Sequence, residues 1–549
     1  MTSNRPNILR IVSDDTSEEM LGYSGGNVLT PNIDSIAGNG VVFDNFHCPS
    51  TVCMASRYAA LTGHYCGRCP AESFRRQCDG QTPYSVAFNT DIMPGRDKTI
   101  GHVLQGAGYR TGYVGKWHTG PKEEELGTRW FAKDDDPRDP AIAAKLEEHQ
   151  EALCEQVRRN GFDYAGGISW GNPQPGDRQI EELEVHNLEW MTKAALDFVD
   201  ATAREGTPFF LNYAVTTIHG NGHIESLLAD PRLTPAGYRE DHLGCMPDRP
   251  SIYTRIVEAG LPFNFVTSGA LWMDDAIGAL LERLRKLHVL ENTIVIYSSD
   301  HGACEDKATV YQGGTRIPCV LQWRQSVPPA RHVTALTQNI DWVPTLAAAA
   351  GTPIPDGMAL DGRNILPLLT GETCEVPDRD DLYFEHGYAR AVRTARWKYM
   401  AYRLPQGLID TMHAGDCERA CNPNGSFNDV AKCLSVERHP DFFDPDQLYD
   451  LAADPGERYN LADDPAYAEV LEEMRQRLRR YLDTFDQPFP IDQRQAFIYT
   501  QEFARLTEPY RSLDALHDLR WWRRRWHHRP HEVKYNFPRD PRGSVAECR

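Results

Sequence analysis

Short apolar runs alternate with segments of helical periodicity over the first two thirds of the chain. Each run is mostly apolar and bounded by polar residues, which is typical of a buried parallel strand. The predicted strands include Asn7 to Val12, Tyr109 to Val114, Pro208 to Val215 and Thr293 to Tyr297. Apolar residues at helical spacing lie between them, in residues 100–107, 181–201 and 268–287. This alternation predicts an α/β fold with a large sheet flanked by helices.

A polar cluster follows each of these four strands. The clusters are Asp14 with Asp15, Lys116 with His118, His219, and Asp300 with His301. Ligands of open α/β sheets bind at the carboxyl ends of the strands, so we expect the clusters to converge at that edge. Two adjacent carboxylates such as Asp14 and Asp15 are costly to bury unless a cation neutralises them, which favours a metal site. A helix N-cap or a solvated turn is the alternative.

The stretch from Val52 to Gly63 combines a nucleophile with an anion-binding corner. Cys53 precedes a run of good helix formers that ends in Thr62 and Gly63. Its sulfur is therefore predicted at a helix N-terminus, where free backbone N–H groups favour negative charge. Arg57, one turn further along, adds a fixed cation. The combination indicates catalysis on a phosphate-like or sulfate-like group; the alternative is a buried cysteine that serves as a small hydrophobe.

The Cys-x-Ala-Ser-Arg motif that begins at Cys53, with the Leu-Thr-Gly that ends at Gly63, resembles the modification site of the sulfatase family. In that family the cysteine is oxidised after translation to formylglycine, and the pattern accepts proline or alanine two residues later. This chain has Ala55, which leaves open which formylglycine-generating enzyme acts on it. Sulfatase-like motifs follow in order from about residue 5 to residue 485. The resemblance implies an alkaline-phosphatase-like fold with a large mixed sheet and a smaller C-terminal antiparallel-sheet subdomain.

The resemblance also assigns a metal site and a set of catalytic side chains. The implied ligands of one divalent ion are Asp14, Asp15, Asp300, His301 and the modified Cys53. Many relatives carry asparagine where this chain has His301. The expected ion is Ca²⁺, with Mg²⁺ or Mn²⁺ as alternatives, because hard oxygen ligands favour Ca²⁺ or Mg²⁺ and an imidazole tolerates Mn²⁺ better. The implied catalytic residues are Cys53, Arg57, Lys116, His118, His219 and Lys307.

Each catalytic side chain has a role in the reaction that the resemblance implies. Arg57 holds the hydrated formylglycine, and Lys116 and Lys307 contact the sulfonyl oxygens. Either His219 or Lys307 protonates the leaving oxygen. His118 is the base that lets a covalent sulfo-enzyme expel sulfate. Residues 220–250 are rich in glycine, proline and histidine and are predicted to be a substrate-facing loop; they include His242 and a rival for His219, His223.

The predicted function is hydrolysis of a small-molecule sulfate monoester to an alcohol and inorganic sulfate through a covalent sulfo-enzyme intermediate. Two alternatives stay open. The first is a related hydrolase with the same nucleophile and metal that prefers phosphonate monoesters or phosphodiesters. The second is a catalytically silent homologue that acts as a binding module. The presence of Cys53, the acids and both lysines argues against the silent alternative.

The chain changes character near residue 375. A catalytic domain is predicted over residues 1–375, and short strand-like pieces with one amphipathic helix predict a small subdomain over residues 376–490. An aromatic-rich extension follows over residues 491–549, and its residues 510–549 hold 10 Lys+Arg against 5 Asp+Glu. Such a tail can stack on nucleic acid, but tryptophan and arginine are enriched at protein interfaces. We therefore expect the extension to pack on the acidic surface of its own or of a neighbouring subunit, and a homo-oligomer formed through the extension is predicted.

Composition narrows the class of protein. The chain has 549 residues and a formal net charge of −20, which argues against a nucleic-acid partner. It has no apolar run of the roughly 18 residues that a membrane helix needs, so no membrane partner is expected. The N-terminus lacks the regions of a signal peptide, which predicts a cytoplasmic protein. A periplasmic location stays open if a presequence has been trimmed.

The 14 cysteines form no regular framework. Two loose clusters are Cys66 with Cys69 and Cys78, and Cys417 with Cys421 and Cys433. Neither cluster is matched by a second correctly spaced pair, so reduced thiols are favoured over a zinc or redox site.

Overall fold

An eight-stranded mixed sheet forms the centre of the protein in a computed structural model. The structure describes residues 5–76, 78, 84–120, 131–173, 180–219, 222–303, 306–413, 439, 441–442 and 444–494. In chain order the strands are β1 (Asn7–Ser13), β2 (Val41–Phe43), β3 (Phe46–His47), β4 (Arg110–Lys116), β5 (Tyr164–Ser169), β6 (Phe209–Ala214), β7 (Leu233–Thr234), β8 (Gly237–Tyr238), β9 (Thr293–Ser299), β10 (Cys319–Gln322), β11 (Arg331–Val333), β12 (Thr337–Gln338), β13 (Leu382–His386), β14 (Ala389–Arg393), β15 (Trp397–Tyr402) and β16 (Asp446–Asp450). The α-helices of the described residues are α1 (Pro31–Gly38), α2 (Cys53–Thr62), α3 (Glu72–Arg75), α4 (Ile100–Gly106), α5 (Pro140–Arg158), α6 (Leu188–Glu205), α7 (His223–Leu228), α8 (Arg249–Glu258), α9 (Phe265–Lys286), α10 (Gln312–Thr315), α11 (Trp342–Ala349), α12 (Leu366–Thr370), α13 (Gln406–His413) and α14 (Ala468–Leu482). None of these helices combines the length and the apolar composition that a membrane crossing requires.

The large sheet has the strand order β11-β2-β10-β9-β1-β6-β4-β5. The neighbours β9, β1, β6, β4 and β5 are all parallel, whereas β10 runs antiparallel to both β9 and β2. Parallel neighbours need crossover connections, which α5, α6 and α9 supply. The predicted α/β fold with a large mixed sheet is confirmed. The four strands that precede the polar clusters are adjacent in this sheet.

Two hydrophobic cores cover the two faces of the large sheet. Successive residues of a strand point to opposite faces, so Ile8 lies in one core and Leu9 in the other. The core around Leu9 includes side chains of α1, α6 and α9. The core around Ile8 includes side chains of α2, α4 and α11 and continues into the C-terminal part of the chain. Burial of apolar area on both faces is the main favourable term for this layered arrangement.

A separate four-stranded antiparallel sheet has the order β13-β14-β15-β16. Helix α14 lies across β14 and β15 and buries Met474 and Leu478 in the same core as Tyr399. The predicted small antiparallel sheet is therefore confirmed. The domain boundaries at 375 and 490 stay predictions. The basic tail, at residues 510–549, and the second cysteine cluster lie outside the described residues.

The helix predicted over residues 181–201 begins later than its apolar periodicity indicates. The side chain of Asn187 accepts a hydrogen bond from Trp190 N (2.8 Å) and caps the N-terminus of α6. Residues 181–183 form a separate 3₁₀ turn. The cap, rather than the hydrophobic pattern, sets where this helix starts.

The segment 220–250 differs from the predicted loop, because its described residues include α7, the hairpin β7–β8 and the start of α8. Gly222, with φ of 71°, provides the left-handed residue that precedes α7. His223 is buried, with Nε2 2.7 Å from Phe265 O, whereas His242 is exposed. The glycine and proline content of the segment thus marks the turns between short elements.

A buried carboxylate in the middle of α9 caps the N-terminus of α1. Asp274 Oδ1 accepts hydrogen bonds from Ile33 N (2.9 Å) and Asn32 N (3.1 Å), and its Oδ2 accepts one from Asn32 Nδ2 (2.8 Å). Thr30, which precedes α1, makes no capping hydrogen bond with its side chain. Asp274 therefore satisfies N–H groups that a local cap usually takes. Burial raises the pKa of Asp274 to about 7.

We expect Asp274→Ala to lower the free energy of unfolding by about 2–4 kcal/mol, because a buried and a partly buried backbone N–H group lose their acceptor. Asp274→Asn keeps an oxygen for those groups and removes the buried charge, so its thermal midpoint should stay much nearer to that of the wild type. Differential scanning fluorimetry of the three proteins measures the difference. Equal midpoints for the wild type and Asp274→Ala would contradict the capping role.

Candidate active site

The carboxyl edge of the large sheet brings the four polar clusters side by side. In the order of the strands they are Asp300 with His301 after β9, Asp14 with Asp15 after β1, His219 after β6, and Lys116 with His118 at the end of β4. Backbone hydrogen bonds join the neighbouring strand ends. Asp300 N donates to Ser13 O (3.0 Å), and Asp14 N donates to Thr217 O (3.2 Å). The relative positions of the clusters are therefore set by the sheet itself.

Cys53, the first residue of α2, lies among these acids. Its Sγ is 3.3 Å from Asp14 Oδ1 and 3.2 Å from His301 Nε2. His301 Nε2 is also 3.1 Å from Asp15 Oδ1. Ligand atoms of these four residues all lie within 4.8 Å of one another, and all four residues are buried. The thiol and three potential metal ligands thus share one small volume.

Asp300 lies beside this group and is paired with Arg57. Arg57 donates from Nε to Asp300 Oδ2 (3.1 Å), and its Nη2 is 3.0 Å from the same oxygen. Asp300 Oδ1 is 3.7 Å from His301 Nε2 and accepts a hydrogen bond from Asp15 N (3.3 Å). Burial, followed by the charge of Asp14, raises the pKa of Asp300 to about 7. Asp300 therefore has one oxygen engaged by Arg57 and the other near the ligand group.

Two lysines pair with the remaining acids. Lys116 Nζ forms an ion pair with Asp14 Oδ2, and both side chains are buried. Lys307 Nζ donates to both oxygens of Asp15 (2.8 and 2.7 Å) and lies 3.3 Å from His219 Nε2. Burial disfavours the charged form of Lys307, but Asp15 outweighs it and raises the pKa of Lys307 above its ordinary value. A charged ammonium group thus stands between Asp15 and His219.

His219 and His118 keep some solvent exposure and are held neutral. Burial, followed by the charge of Lys307, lowers the pKa of His219 to about 3. Burial, followed by the charge of Lys116, holds the pKa of His118 well below its usual value. Together with Lys307, also partly exposed, they form the solvent side of the site. A neutral imidazole can accept a proton there.

Sequence reasoning missed residues at the end of β5. Asn172 Nδ2 donates to Asp14 Oδ2 (3.1 Å). Trp170 O accepts a hydrogen bond from His118 N (2.7 Å), and the ring of His118 lies between Trp170 and Phe88, at centroid distances of 4.8 and 5.7 Å. β5 is parallel and adjacent to β4, so the rule that located the other clusters also applies to its carboxyl end.

The predicted thiol cluster at Cys66 and Cys69 is separate from this site. Both are buried free thiols, and their Sγ atoms lie near backbone carbonyls, 3.4 Å from Ala55 O and 3.5 Å from Asp91 O respectively. Over the described ranges, the group around Cys53 is the one whose side chains could hold a metal ion.

Comparison with known families covers most of the chain. The family described as "Sulfatase" matches residues 6–352, which is more than half of the chain. The chain belongs to the sulfatase family. The C-terminal region of this sulfatase matches the family described as the C-terminal region of aryl-sulfatase over residues 377–498. Residues 300–410 also match the family described as "N-sulphoglucosamine sulphohydrolase, C-terminal".

Individual relatives and solved structures agree with the family match. Human steryl-sulfatase is 25% identical and covers 88% of this chain and 89% of its own length. Human arylsulfatase A is 29% identical and covers 86% of each chain. A solved structure titled for glycosaminoglycan metabolism by Bacteroides thetaiotaomicron has a TM-score of 0.58 at 22% identity, and covers 87% of this chain and 99% of its own. The protein is therefore a sulfuric ester hydrolase with the fold of solved sulfatases.

The residues of this sulfatase fit the divalent ion that the family implies. Burial disfavours a charged His301, but Asp300 and Asp15 outweigh it and raise the pKa of His301 to about 9. The acids thus favour a positive charge at His301, and a divalent cation beside them supplies such a charge. The carboxylates of Asp14 and Asp15 are hard oxygen ligands for Ca²⁺ or Mg²⁺, and the imidazole also accepts Mn²⁺. Ion binding requires neutral His301 and releases its proton.

We expect Ca²⁺, Mg²⁺ or Mn²⁺ to raise the thermal midpoint of the chelator-treated sulfatase. An ion that binds only the folded state stabilises it by about 2.7 kcal/mol at a hundredfold excess over its dissociation constant. Asp15→Asn should lose most of this shift, because it removes a ligand. Asp230→Asn, which changes an acid paired with Arg232 outside the site, is the control. A full shift in Asp15→Asn would contradict the assigned ion site.

Proposed function

We propose that this sulfatase hydrolyses sulfate monoesters with formylglycine at position 53 and one divalent ion held by Asp14, Asp15, Asp300 and His301. The position of Cys53 supports this most strongly. Its Sγ lies within 3.3 Å of Asp14 Oδ1 and His301 Nε2, at the N-terminal end of α2. The backbone N–H groups of that helix end favour negative charge at the nucleophile.

The modified residue and the ion supply chemistry that an unmodified cysteine lacks. Hydrated formylglycine supplies two hydroxyls on one carbon, and the ion supplies positive charge that lowers the pKa of the attacking hydroxyl. A formylglycine-generating enzyme is therefore a required partner in maturation. Cys53 is thus the precursor of the nucleophile, and other side chains carry out every proton transfer.

The cations of the site match the charge of a sulfate monoester. The substrate is an anion, and attack at sulfur increases the charge on its oxygens, so fixed positive groups stabilise the transition state. Lys116 and Lys307, each held by an acid of the ligand group, are assigned to the sulfonyl oxygens. Arg57 is fixed by Asp300 and by Lys116 O (3.1 Å), and offsets the charge of the nucleophile.

Proton transfer is divided between the two partly exposed histidines, His118 and His219, and Lys307. The pKa of His219 is lowered to about 3, so its imidazole is uncharged at neutral pH, whereas the raised pKa of Lys307 keeps its ammonium group charged. We therefore assign the proton for the leaving oxygen to Lys307, with His219 as its hydrogen-bond acceptor at 3.3 Å. Neutral His118 is the base for the second hydroxyl, which allows sulfate to leave after the alcohol.

The alternatives from the sequence are not favoured. The matching relatives include steryl-sulfatase, arylsulfatase A and N-acetylgalactosamine-6-sulfatase, so a preference for phosphonate monoesters or phosphodiesters has no support among them. The names of these relatives differ in the alcohol, and aryl sulfates therefore serve as test substrates. Comparison of kcat/KM for an aryl sulfate and a phenyl phosphonate tests the preference directly.

We expect mass spectrometry of the active protein to find the peptide with Cys53 lighter by about 18 Da, the difference between a thiol and an aldehyde side chain. Cys53→Ala should lower turnover of 4-nitrophenyl sulfate by about 10⁴-fold or more, since nucleophile removal abolishes this kind of catalysis. Cys66→Ala, which changes a buried thiol outside the site, is the matched control. Activity of Cys53→Ala within tenfold of the wild type would contradict the nucleophile assignment.

Loss of His118 should slow the second half of the reaction more than the first. With His118→Ala we expect stopped-flow traces to show a burst of 4-nitrophenol close to one equivalent per active site, followed by slow turnover, because the alcohol still leaves while sulfate release lacks its base. The wild type is the reference for the burst amplitude. Linear release from the first turnover, at a uniformly lower rate, would contradict the role of His118.

A further inference from the structure

A buried contact joins the turn that carries Lys307 to the C-terminal part of the chain. His439 Nε2 lies 3.0 Å from Asp306 Oδ1, and His439 Nδ1 lies 2.9 Å from Glu457 O. The imidazole also stacks on the ring of Tyr311, with 3.5 Å between centroids and 1° between planes. His439 and Asp306 are each 2% exposed. His439 thus contacts the chain on both sides of Lys307.

The turn itself has little regular structure to hold it. Over its described residues no helix or strand lies between the end of β9 and the start of α10. Ala308 has φ of 62°, and its N donates to Thr51 O (3.0 Å), while Thr51 Oγ1 donates to Thr309 O (2.6 Å). Thr51 precedes Cys53 by two residues, so one side of the turn is attached to the nucleophile segment.

Asp306 fixes the other side of the turn. Its side chain lies against Gly313, where an added Cβ would be 2.2 Å from Asp306 Oδ2. Its backbone carbonyl approaches Gly314 equally closely, at 2.2 Å from the corresponding Cβ position. Gly313 lies against Oδ2 of Asp306 and His439 against Oδ1, while Gly314 lies against its backbone carbonyl, so both the side chain and the backbone of Asp306 are held in position. The next residue is Lys307, so this position sets where the lysine backbone begins.

We infer that His439 is a positioning residue for Lys307 and acts through Asp306. The inference rests on the proposed function, in which Lys307 gives a proton to the leaving oxygen. That transfer needs hydrogen-bond distance between Nζ and the leaving oxygen, and a misplacement of about 1 Å can cost about 10²-fold in rate. The C-terminal part of the chain thus affects the reaction through the imidazole of His439, although it supplies none of the assigned catalytic groups.

The variant His439→Phe tests this inference, because it keeps a ring over Tyr311 and removes both ring nitrogens, the one that faces Asp306 and the one that faces Glu457 O. We expect kcat for phenyl sulfate to fall by about tenfold or more, and kcat for 4-nitrophenyl sulfate to fall much less, because 4-nitrophenolate leaves with little need for a proton. His439→Gln can donate to Asp306 again and should recover most of the loss. This leaving-group split, a larger loss of kcat with phenyl sulfate than with 4-nitrophenyl sulfate, distinguishes the positioning role from a general loss of structure, which would lower both kcat values alike.

Tyr311→Phe is the matched control. It keeps the stacked ring and the Asp306 contact and removes the hydroxyl, which donates a hydrogen bond to Gln447 Oε1 (2.7 Å) and also interacts with Tyr449. Its two kcat values should change together, by about twofold at most, as for a change outside the machinery. A leaving-group split in Tyr311→Phe as large as in His439→Phe would overturn the specific role of His439.

Combination with Lys307→Ala shows whether His439 acts through the lysine. On the Lys307→Ala background, His439→Phe should add no further change in leaving-group dependence, because the group that it positions is gone. An equal additional change, or unaltered dependence in the single variant, would overturn the inference.

If His439→Phe lacks the circular dichroism spectrum of the wild type, Asp306→Asn replaces it with the same expected split. Wild-type protein that hydrolyses neither sulfate contradicts the proposed function itself, whereas normal turnover with an unaltered split contradicts only the role of His439.

Discussion

Burial of three carboxylates at one edge of a parallel sheet is the constraint on which the rest of the structure depends. Asp14, Asp15 and Asp300 are 0%, 6% and 2% exposed, and an unpaired charge in such a place costs several kcal/mol. An arginine and two lysines neutralise the three acids one by one. The raised pKa of His301 shows that the acids still attract positive charge after this pairing. A divalent ion satisfies the same demand, which is why the site fits a metal.

The same positive charge acts on the nucleophile position. Burial and the charge of Asp14 oppose ionisation of the Cys53 thiol, but Lys116, Lys307 and His301 outweigh them and lower its pKa. The site is therefore suited to negative charge at this position whether the group is a thiol or the modified side chain. An anionic substrate and an anionic nucleophile can meet there because fixed cations surround both.

Local features of the sequence were sufficient to predict the parts of the site that follow strands or begin a helix. An apolar run followed by a polar pair predicts a strand end, and Cys53 followed by helix formers predicts a helix start; both depend on neighbouring residues. The Asp274 cap, the Asn172 contact and the His439 contact join residues 242, 158 and 133 positions apart. Hydrophobic periodicity carries no information on such pairs, because they exist only after the elements have packed. Single residues such as Asp274, Asn172 and His439 also give no signal in the sequence, since isolated polar residues usually lie on the surface.

The C-terminal part of the chain shares a hydrophobic core with the catalytic part and also contacts the turn that carries Lys307. The core around Ile8 includes Tyr399 and Leu478, so removal of the small sheet would expose apolar area of the catalytic layer. Glu457 joins the two parts again, since Oε2 accepts a hydrogen bond from Gln312 N (2.5 Å) and Oε1 pairs with buried Lys398 (2.7 Å). The change of pattern near residue 375 therefore marks a change of strand arrangement within one continuous core. Groups on the sheet edge are fixed by strand pairing, whereas Lys307, on a turn, depends on contacts that the later part of the chain provides.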